Sequence, residues 1–227
     1  MESDPHFRER LGHAFARPEL LAQALTHRSF GARHNERLEF VGDAVLNCVV
    51  ARVLYERFPD LPEGDLSRVR AGLVNRETLA EVARRMDIGA AIRLGDGALR
   101  SGGPERPSIL ADALEAVFGA VFLDAGYEAA RVAIERAFDG VLRDADPRVL
   151  GKDPKTLLQE WLQGRGLPVP DYRVVEIAGE AHAQTFTAEC RIEALGVATQ
   201  GSGASRRVAE QSAAASAYAA LTASRPA

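Results

Sequence analysis

The stretch ILADALEAVFGAVFL, residues 109–123, carries two charged side chains, Asp112 and Glu115, in a run otherwise made of apolar residues and glycine. A run of this length and composition, without strand alternation, predicts a helix buried in the core of a helical domain. Asp112 and Glu115 stand three positions apart and so share one face of that helix. No Lys or Arg in the run can pair with them, and an unpaired buried carboxylate is costly or takes up a proton. A divalent cation is the simplest compensation, because magnesium and manganese prefer hard oxygen ligands. The competing reading is a buried ion pair with a cation from another helix, Arg68 or Arg70 for instance.

A second acidic group lies upstream in NERLEFVGDAVLNCVVARVL, residues 35–54. At about 100° per residue, Glu36, Glu39 and Asp43 fall within roughly 60° of one another on a helix. Such spacing alone describes a solvated face. From Phe40 to Leu54, however, apolar residues surround the helix, so it is expected to be buried nearly all round, with Asp43 at a costly position. Carboxylates on two apolar helices predict one composite metal site, of the kind that phosphodiester hydrolysis uses with one or two ions. Glu63, in PEGDLSR, offers a further carboxylate; its other reading is a first-turn acid favoured by the helix dipole.

Working outward, helical patterns cover 35–58, 65–86, 107–124 and 128–143, broken at Pro59, Pro62, the GDG at 95–97 and the SGGP at 101–104. Residues 144–152 lose periodicity and read as a linker. Asp153-Pro154 then starts a helix as cap and first-turn proline, with Gly164 and Gly166 stopping it. In TFTAECRI the apolar Phe186, Ala188, Cys190 and Ile192 alternate with polar residues, as a strand with one buried face requires. Shorter strand patterns lie at 171–177 and 196–201. SRRVAEQSAAASAYAAL predicts a last helix whose Ala209, Ala213 and Ala217, four apart, form a smooth face for a sheet. The second unit reads α-β-β-β-α.

With 227 residues the chain is expected to form two domains, and its net charge of −4 excludes a broadly basic nucleic-acid binder. No uncharged apolar run is long enough to span a bilayer, and the first residues lack a secretory pattern, so a cytoplasmic protein without a membrane partner is expected. Cys48 and Cys190, single cysteines in apolar stretches, read as two buried thiols in a reducing compartment.

NERLEFVGDAVL resembles the signature of the ribonuclease III family. ALTHRSF at 24–30, PEGDLSRVRAGLVNRETLA and SILADALEAVFGAVFLD are similar to the family's other blocks, in the same order and over almost the whole chain. The resemblance implies an all-helical endonuclease domain over 3–126, a closing helix at 127–143, the linker at 144–152 and an α-β-β-β-α double-stranded RNA-binding domain over 153–222. It implies a homodimer, joined through the catalytic domain, that cleaves both strands of double-stranded RNA. The products carry 5′-phosphate and 3′-hydroxyl ends with short 3′ overhangs, and precursors of ribosomal RNA are among the substrates the family suggests. The cofactor implied is magnesium, with manganese an alternative. Carried over by position, Glu39, Asp112 and Glu115 are metal ligands, Asp43 and Glu115 are the catalytic acids, and Glu36 and Glu63 assist in the same valley. Gly42 is read as a close-packing position. His27 is read as a polar helix-end residue rather than a base. Ala44 departs from the serine that family members often carry, with no chemistry lost.

The second unit is similar to domains that read A-form shape across two minor grooves and the phosphates between them. Thr156, Gln159 and Glu160 on its first helix offer contacts to ribose hydroxyls. His182 is placed at a loop tip, and Arg206 and Arg207 meet phosphate at the start of the last helix. One departure is its charge: over 153–227 seven basic residues stand against eight acidic ones. Glu210 occupies a position where many such domains carry lysine. Modest RNA affinity with a shallow salt dependence is therefore expected. The rival reading is a protein that holds duplex RNA without cutting it. A redox carboxylate-metal protein is disfavoured, because no Glu-x-x-His pair occurs.

Overall fold

The computed structural model describes residues 5–147, 149–180 and 184–223. They form two compact units, Met1–Gly151 and Lys152–Ala227. The first is helical: α1 (Pro5–Leu11), α2 (Pro18–Ala24), α3 (Glu36–Arg57), α4 (Glu63–Leu73), α5 (Arg76–Arg85), α6 (Ile88–Ala91), α7 (Asp96–Arg100) and α8 (Pro107–Arg143). α8 is interrupted at Gly126, whose φ of 81° and ψ of −173° are outside the helical region, so the two helical patterns read on either side of 126 join through one glycine. The single pattern read over 65–86 is instead two helices. Asn75 separates them, its side chain accepting a hydrogen bond from the Thr78 N–H as the N-cap of α5.

α8 is the central element. Ile109, Leu110, Ala111, Ala113, Leu114, Ala116, Val117, Phe118, Ala120 and Val121 are all buried, as its apolar run predicts. α3 packs along it at a spacing that two facing glycines permit. A Cβ added at Gly42 would lie 1.8 Å from the Glu115 carbonyl oxygen, and one at Gly119 would lie 2.2 Å from the Leu38 carbonyl oxygen. The two backbones therefore touch where the acidic residues emerge. At the other end of the apolar run Asp124, whose side chain is 1% exposed, ties the N-terminal segment to α8. It accepts from His13 Nε2 at 2.8 Å and from the Ala16 and Arg17 backbone N–H groups.

The expectation that α3 is buried nearly all round is corrected. Leu38, Gly42, Val45, Leu46, Val49, Val50 and Leu54 are buried, but Phe40 is 80% exposed and Tyr55 72% exposed. Asp43, Ala44 and Cys48 lie on the same open side. Apolar residues all round a helix did not imply burial all round, because no element among the described residues covers this side. Cys48 is accordingly an exposed thiol, and only Cys190 is buried; both are free.

The second unit contains α9 (Pro154–Gln163), β1 (Asp171–Ala178), β2 (Thr185–Ile192), β3 (Val197–Gly203) and α10 (Arg206–Ala223). Asp153 caps α9, accepting from the Thr156 N–H, with Pro154 in the first turn. The sheet is antiparallel in the order β1-β2-β3, with a register shift between Val174 and Glu176. Ala188, Cys190 and Ile192 face inward on β2, and Cys190 and Ile192 join Leu158 and Leu162 of α9 in the core. Ala209, Ala213 and Ala217 are fully buried, as their spacing predicts, and Ala214 with them. The approach is closest at Gly201, where a Cβ would stand 2.1 Å from the Ala213 nitrogen.

Candidate functional site

Because α3 and α8 touch at Gly42, their acidic side chains open into one hollow of about 660 Å³. Glu36, Glu39, Asp43, Asp112 and Glu115 all line it. Ligand oxygens of Glu39, Asp112 and Glu115 lie within 4.8 Å of one another, and all three side chains are half-buried. Among the described residues no cation neutralises them at contact distance. Arg68 is engaged with Asp65 and with the Leu150 and Pro147 carbonyls, and Arg70 lines a different hollow, so the ion-pair alternative for α8 is not the one the fold adopts.

The electrostatics follow from this crowding. Burial, and after it the charges of Asp43, Glu39 and Asp112, pushes the Glu115 carboxyl up to about 8. Glu39 is raised by burial and by Asp112, Glu36 and Asp43. Asp112 is raised by burial, with Arg76, His27 and Arg28 opposing it from farther away. A set of like charges in a half-dry pocket, each destabilising the others, is what a divalent cation relieves. The donor set fits magnesium or manganese: hard oxygens only, on two helices locked by backbone contact.

Asp43 stands outside the three-carboxylate group, on the exposed side of α3. Asn47, one turn later, donates from Nδ2 to Asp43 Oδ1 at 2.8 Å and to its carbonyl oxygen at 3.0 Å, which fixes the carboxylate's rotamer. Glu36 is at the rim, paired with Arg28 at 3.2 Å. Glu63 is not brought to this hollow within one chain. It lines another, of about 390 Å³, with Arg52, Tyr55 and Arg70, and accepts a hydrogen bond from Ser67. Sequence reading passed over Arg28, Arg106 and Asn47. Arg28 and Arg106 bring cations to the wall of an acidic pocket. Asn47 was visible only as the residue four after Asp43. His27 also lines the hollow, its Nδ1 2.8 Å from Ser29 Oγ. Burial, and then Arg28, lowers its pKa.

In the second unit, Gln159, Glu160, Arg206 and Arg207 are exposed and Thr156 is half-buried. The Thr156 hydroxyl donates to Asp153 Oδ2 at 2.8 Å, so only its acceptor side faces outward. Glu160 is paired with Lys152, and Arg206 Nε with Glu210 at 3.1 Å. His182 lies outside the described residues.

The family profile described as Ribonuclease-III-like matches residues 17–140, more than half of the chain. The profile described as Double-stranded RNA binding motif matches residues 154–221. The protein is 58% identical over 218 residues to Ribonuclease 3 of Thiobacillus denitrificans, covering 96% of each chain. It is 62% identical over 205 residues to Ribonuclease 3 of Bordetella avium, covering 90% of this chain and 82% of that one. The chain belongs to the ribonuclease III family. Its helical unit is similar to a crystal structure of the nuclease domain of ribonuclease III from Campylobacter jejuni. The two are 41% identical with a TM-score of 0.61, over 64% of this chain and 100% of that one. A second structure of that domain, described by flexibility in a region involved in dimer formation, is 43% identical with a TM-score of 0.59, over 60% of this chain and 96% of that one. The ribonuclease III resemblance seen in the sequence is thereby borne out, as are the fold class and the activity. The protein is an endoribonuclease of double-stranded RNA, in a family that depends on divalent metal. No helix among the described residues is long and apolar enough to cross a membrane.

Proposed function

We propose that phosphodiester bonds of duplex RNA are hydrolysed at the hollow between α3 and α8, with magnesium held by Glu39, Asp112 and Glu115. The carrying observation is the convergence of those three carboxylates to within 4.8 Å, with Glu115 pushed up to about 8 by burial and by the neighbouring acids. Magnesium, or manganese in its place, supplies neutralisation of the phosphate oxygens and activation of water at neutral pH. The chain's own residues do the rest. Asp43, held by Asn47, presents a fixed carboxylate at the edge of the site, where it orients the attacking water and takes its proton. Glu36 keeps Arg28 at the rim, and Arg28 and Arg106 draw the RNA backbone toward an otherwise acidic wall. The second unit reads the duplex through Thr156, Gln159 and Glu160 on α9, through Arg206 and Arg207 on α10, and through His182. We place the enzyme in the cytoplasm, a reading that its two free thiols support.

The active form is a homodimer through α3. Phe40 and Tyr55, about 60° apart around the helix, are the two most exposed large apolar side chains of the described residues, at 80% and 72%. A two-fold interface lays this face antiparallel on its copy, so that Phe40 of one chain meets the hollow beside Tyr55 at the other end of the partner's helix. The same operation carries Glu63 toward the partner's carboxylates, which gives that residue the assisting role it lacks within one chain. Phe40→Glu should convert dimer to monomer in sedimentation; an unchanged dimer would place the interface elsewhere.

The decisive experiment compares the wild type with Glu115→Gln on a duplex RNA in magnesium, sequencing the product ends. The wild type should leave 5′-phosphates and 3′-hydroxyls. The variant should bind the duplex while its cleavage falls by at least about 10³-fold. Cleavage by the variant at the wild-type rate would remove Glu115 from the chemistry. Binding without any cleavage by the wild type would favour a holding protein.

A further inference from the structure

Glu210 lies in the second turn of α10, and its side chain is 14% exposed. One carboxylate oxygen accepts from Lys155 Nζ at 2.8 Å and the other from Arg206 Nε at 3.1 Å. Lys155 Nζ also lies 4.1 Å from the centre of the Tyr172 ring, so it is held from two sides. Lys155 precedes Thr156 and Arg206 precedes Arg207. The paired cations therefore sit among the residues read above as facing RNA.

The joint between the two helix starts does not need this carboxylate. Gln211 already makes it: Nε2 donates to Asp153 Oδ1 at 2.9 Å, and Oε1 accepts from the Lys155 backbone N–H at 3.2 Å. Glu210 adds a second carboxylate at a place that the Gln211 hydrogen bonds already close. Lys155, against the opposing effect of burial and with help from Arg206, holds its carboxyl below the usual range, so it is ionised throughout the neutral region. An approaching phosphate oxygen finds those two cations bound to a carboxylate that also repels it. Arg207, next to them, has no acid partner among the described residues.

We propose that Glu210 is an internal competitor for RNA phosphate, occupying Lys155 and Arg206 so that the domain grips duplex RNA through fewer ionic contacts than its cations allow. The proposal rests on the duplex-binding reading of this unit. It predicts that removing the charge, and not the side chain's volume, strengthens binding.

The test uses the full chain in a chelator, which prevents cleavage, with a labelled RNA duplex longer than the roughly 16 base pairs such a domain spans. Fluorescence anisotropy is followed across salt concentrations. Glu210→Gln should raise affinity several-fold at moderate salt. It should also steepen the plot of log affinity against log salt by about 1–2, since each regained phosphate contact contributes roughly 0.9. In a Lys155→Met, Arg206→Met background the same substitution should gain little. A gain as large there as in the wild type would reduce Glu210 to a general negative charge and overturn the proposal. Weaker binding by Glu210→Gln, with thermal unfolding unchanged, would show that the carboxylate orients the cations and would overturn it too. If neither wild type nor variant binds the duplex, the RNA-binding reading falls first and the proposal with it. Should Glu210→Gln unfold the unit, Glu210→Met with retained circular dichroism serves in its place, and the same slope decides.

Discussion

The helical unit and the α-β-β-β-α unit place their functional groups in opposite ways. In the first, the acids project from two helices whose backbones are in contact, into a half-buried hollow with no cation among the described residues within pairing distance of Glu39, Asp112 or Glu115. In the second, the functional side chains stand on exposed helix starts, and several are already paired: Lys152 with Glu160, Lys155 and Arg206 with Glu210. The helical unit leaves three like charges crowded together without a paired cation among the described residues. The second unit already pairs Lys152, Lys155 and Arg206 with its own acids and leaves Arg207 without one among the described residues. Geometry is therefore critical in the first, and charge balance governs the second.

The largest test of that contrast substitutes one glycine in each unit. A methyl group at Gly42 would stand 1.8 Å from the Glu115 carbonyl oxygen, and the atom it meets is backbone, which cannot rotate away. Gly42→Ala should force α3 from α8, lower stability by about 3 kcal/mol or more, and reduce cleavage by at least about 100-fold as the carboxylates separate. Gly201→Ala makes an equally close clash, 2.1 Å from the Ala213 nitrogen, but in the other unit. It should weaken duplex binding while leaving metal binding at the carboxylates unchanged. Denaturant unfolding, calorimetric metal titration and cleavage rates measured on both variants check this. Equal loss of metal binding in the two would dissolve the contrast.

Much of this was legible in the sequence, and the failures have physical causes. Asp112 and Glu115 could be singled out because an apolar run makes a carboxylate conspicuous, and the α-β-β-β-α order followed from TFTAECRI and the alanine spacing. Asp43 was chosen for a reason that does not hold. It was read as buried, whereas it is exposed beside Phe40, because an apolar helix face left uncovered looks like core in a sequence. The same confusion made Cys48 a buried thiol. Arg28, Arg106 and Asn47 carry no signal of their own, since their place at the site depends on how loops and helices converge. Glu210 was noticed as a departure from a basic pattern. Its pairing with both Lys155 and Arg206 depends on how α9 packs beside α10.

A smaller effect sharpens the account of the catalytic unit, because unsatisfied charge should be measurable as a pH dependence of stability in the metal-free protein. Glu115 has an ordinary value of 4.5 and is pushed up to about 8 in the fold. Between those values the folded state holds a proton that the unfolded chain releases, so stability falls as pH rises through this window. Below pH 4.5 both states are protonated and the penalty vanishes; above about 8 it is complete. The group is only half-buried, so solvent screening limits the penalty to about 1–2 kcal/mol. Glu39 and Asp112 are raised for the same reason and act in the same direction. Glu115→Gln cannot ionise and should be more stable than the wild type at pH 8–9, with the difference closing near pH 4.5. Added magnesium or manganese should reverse the order at high pH, stabilising the wild type by binding its folded state and the variant much less. Denaturant unfolding in chelator, then in metal, measures both. Parallel pH curves for the two proteins would mean that Glu115 is compensated within the chain, and the case for an external cation would then have to rest on the remaining two carboxylates.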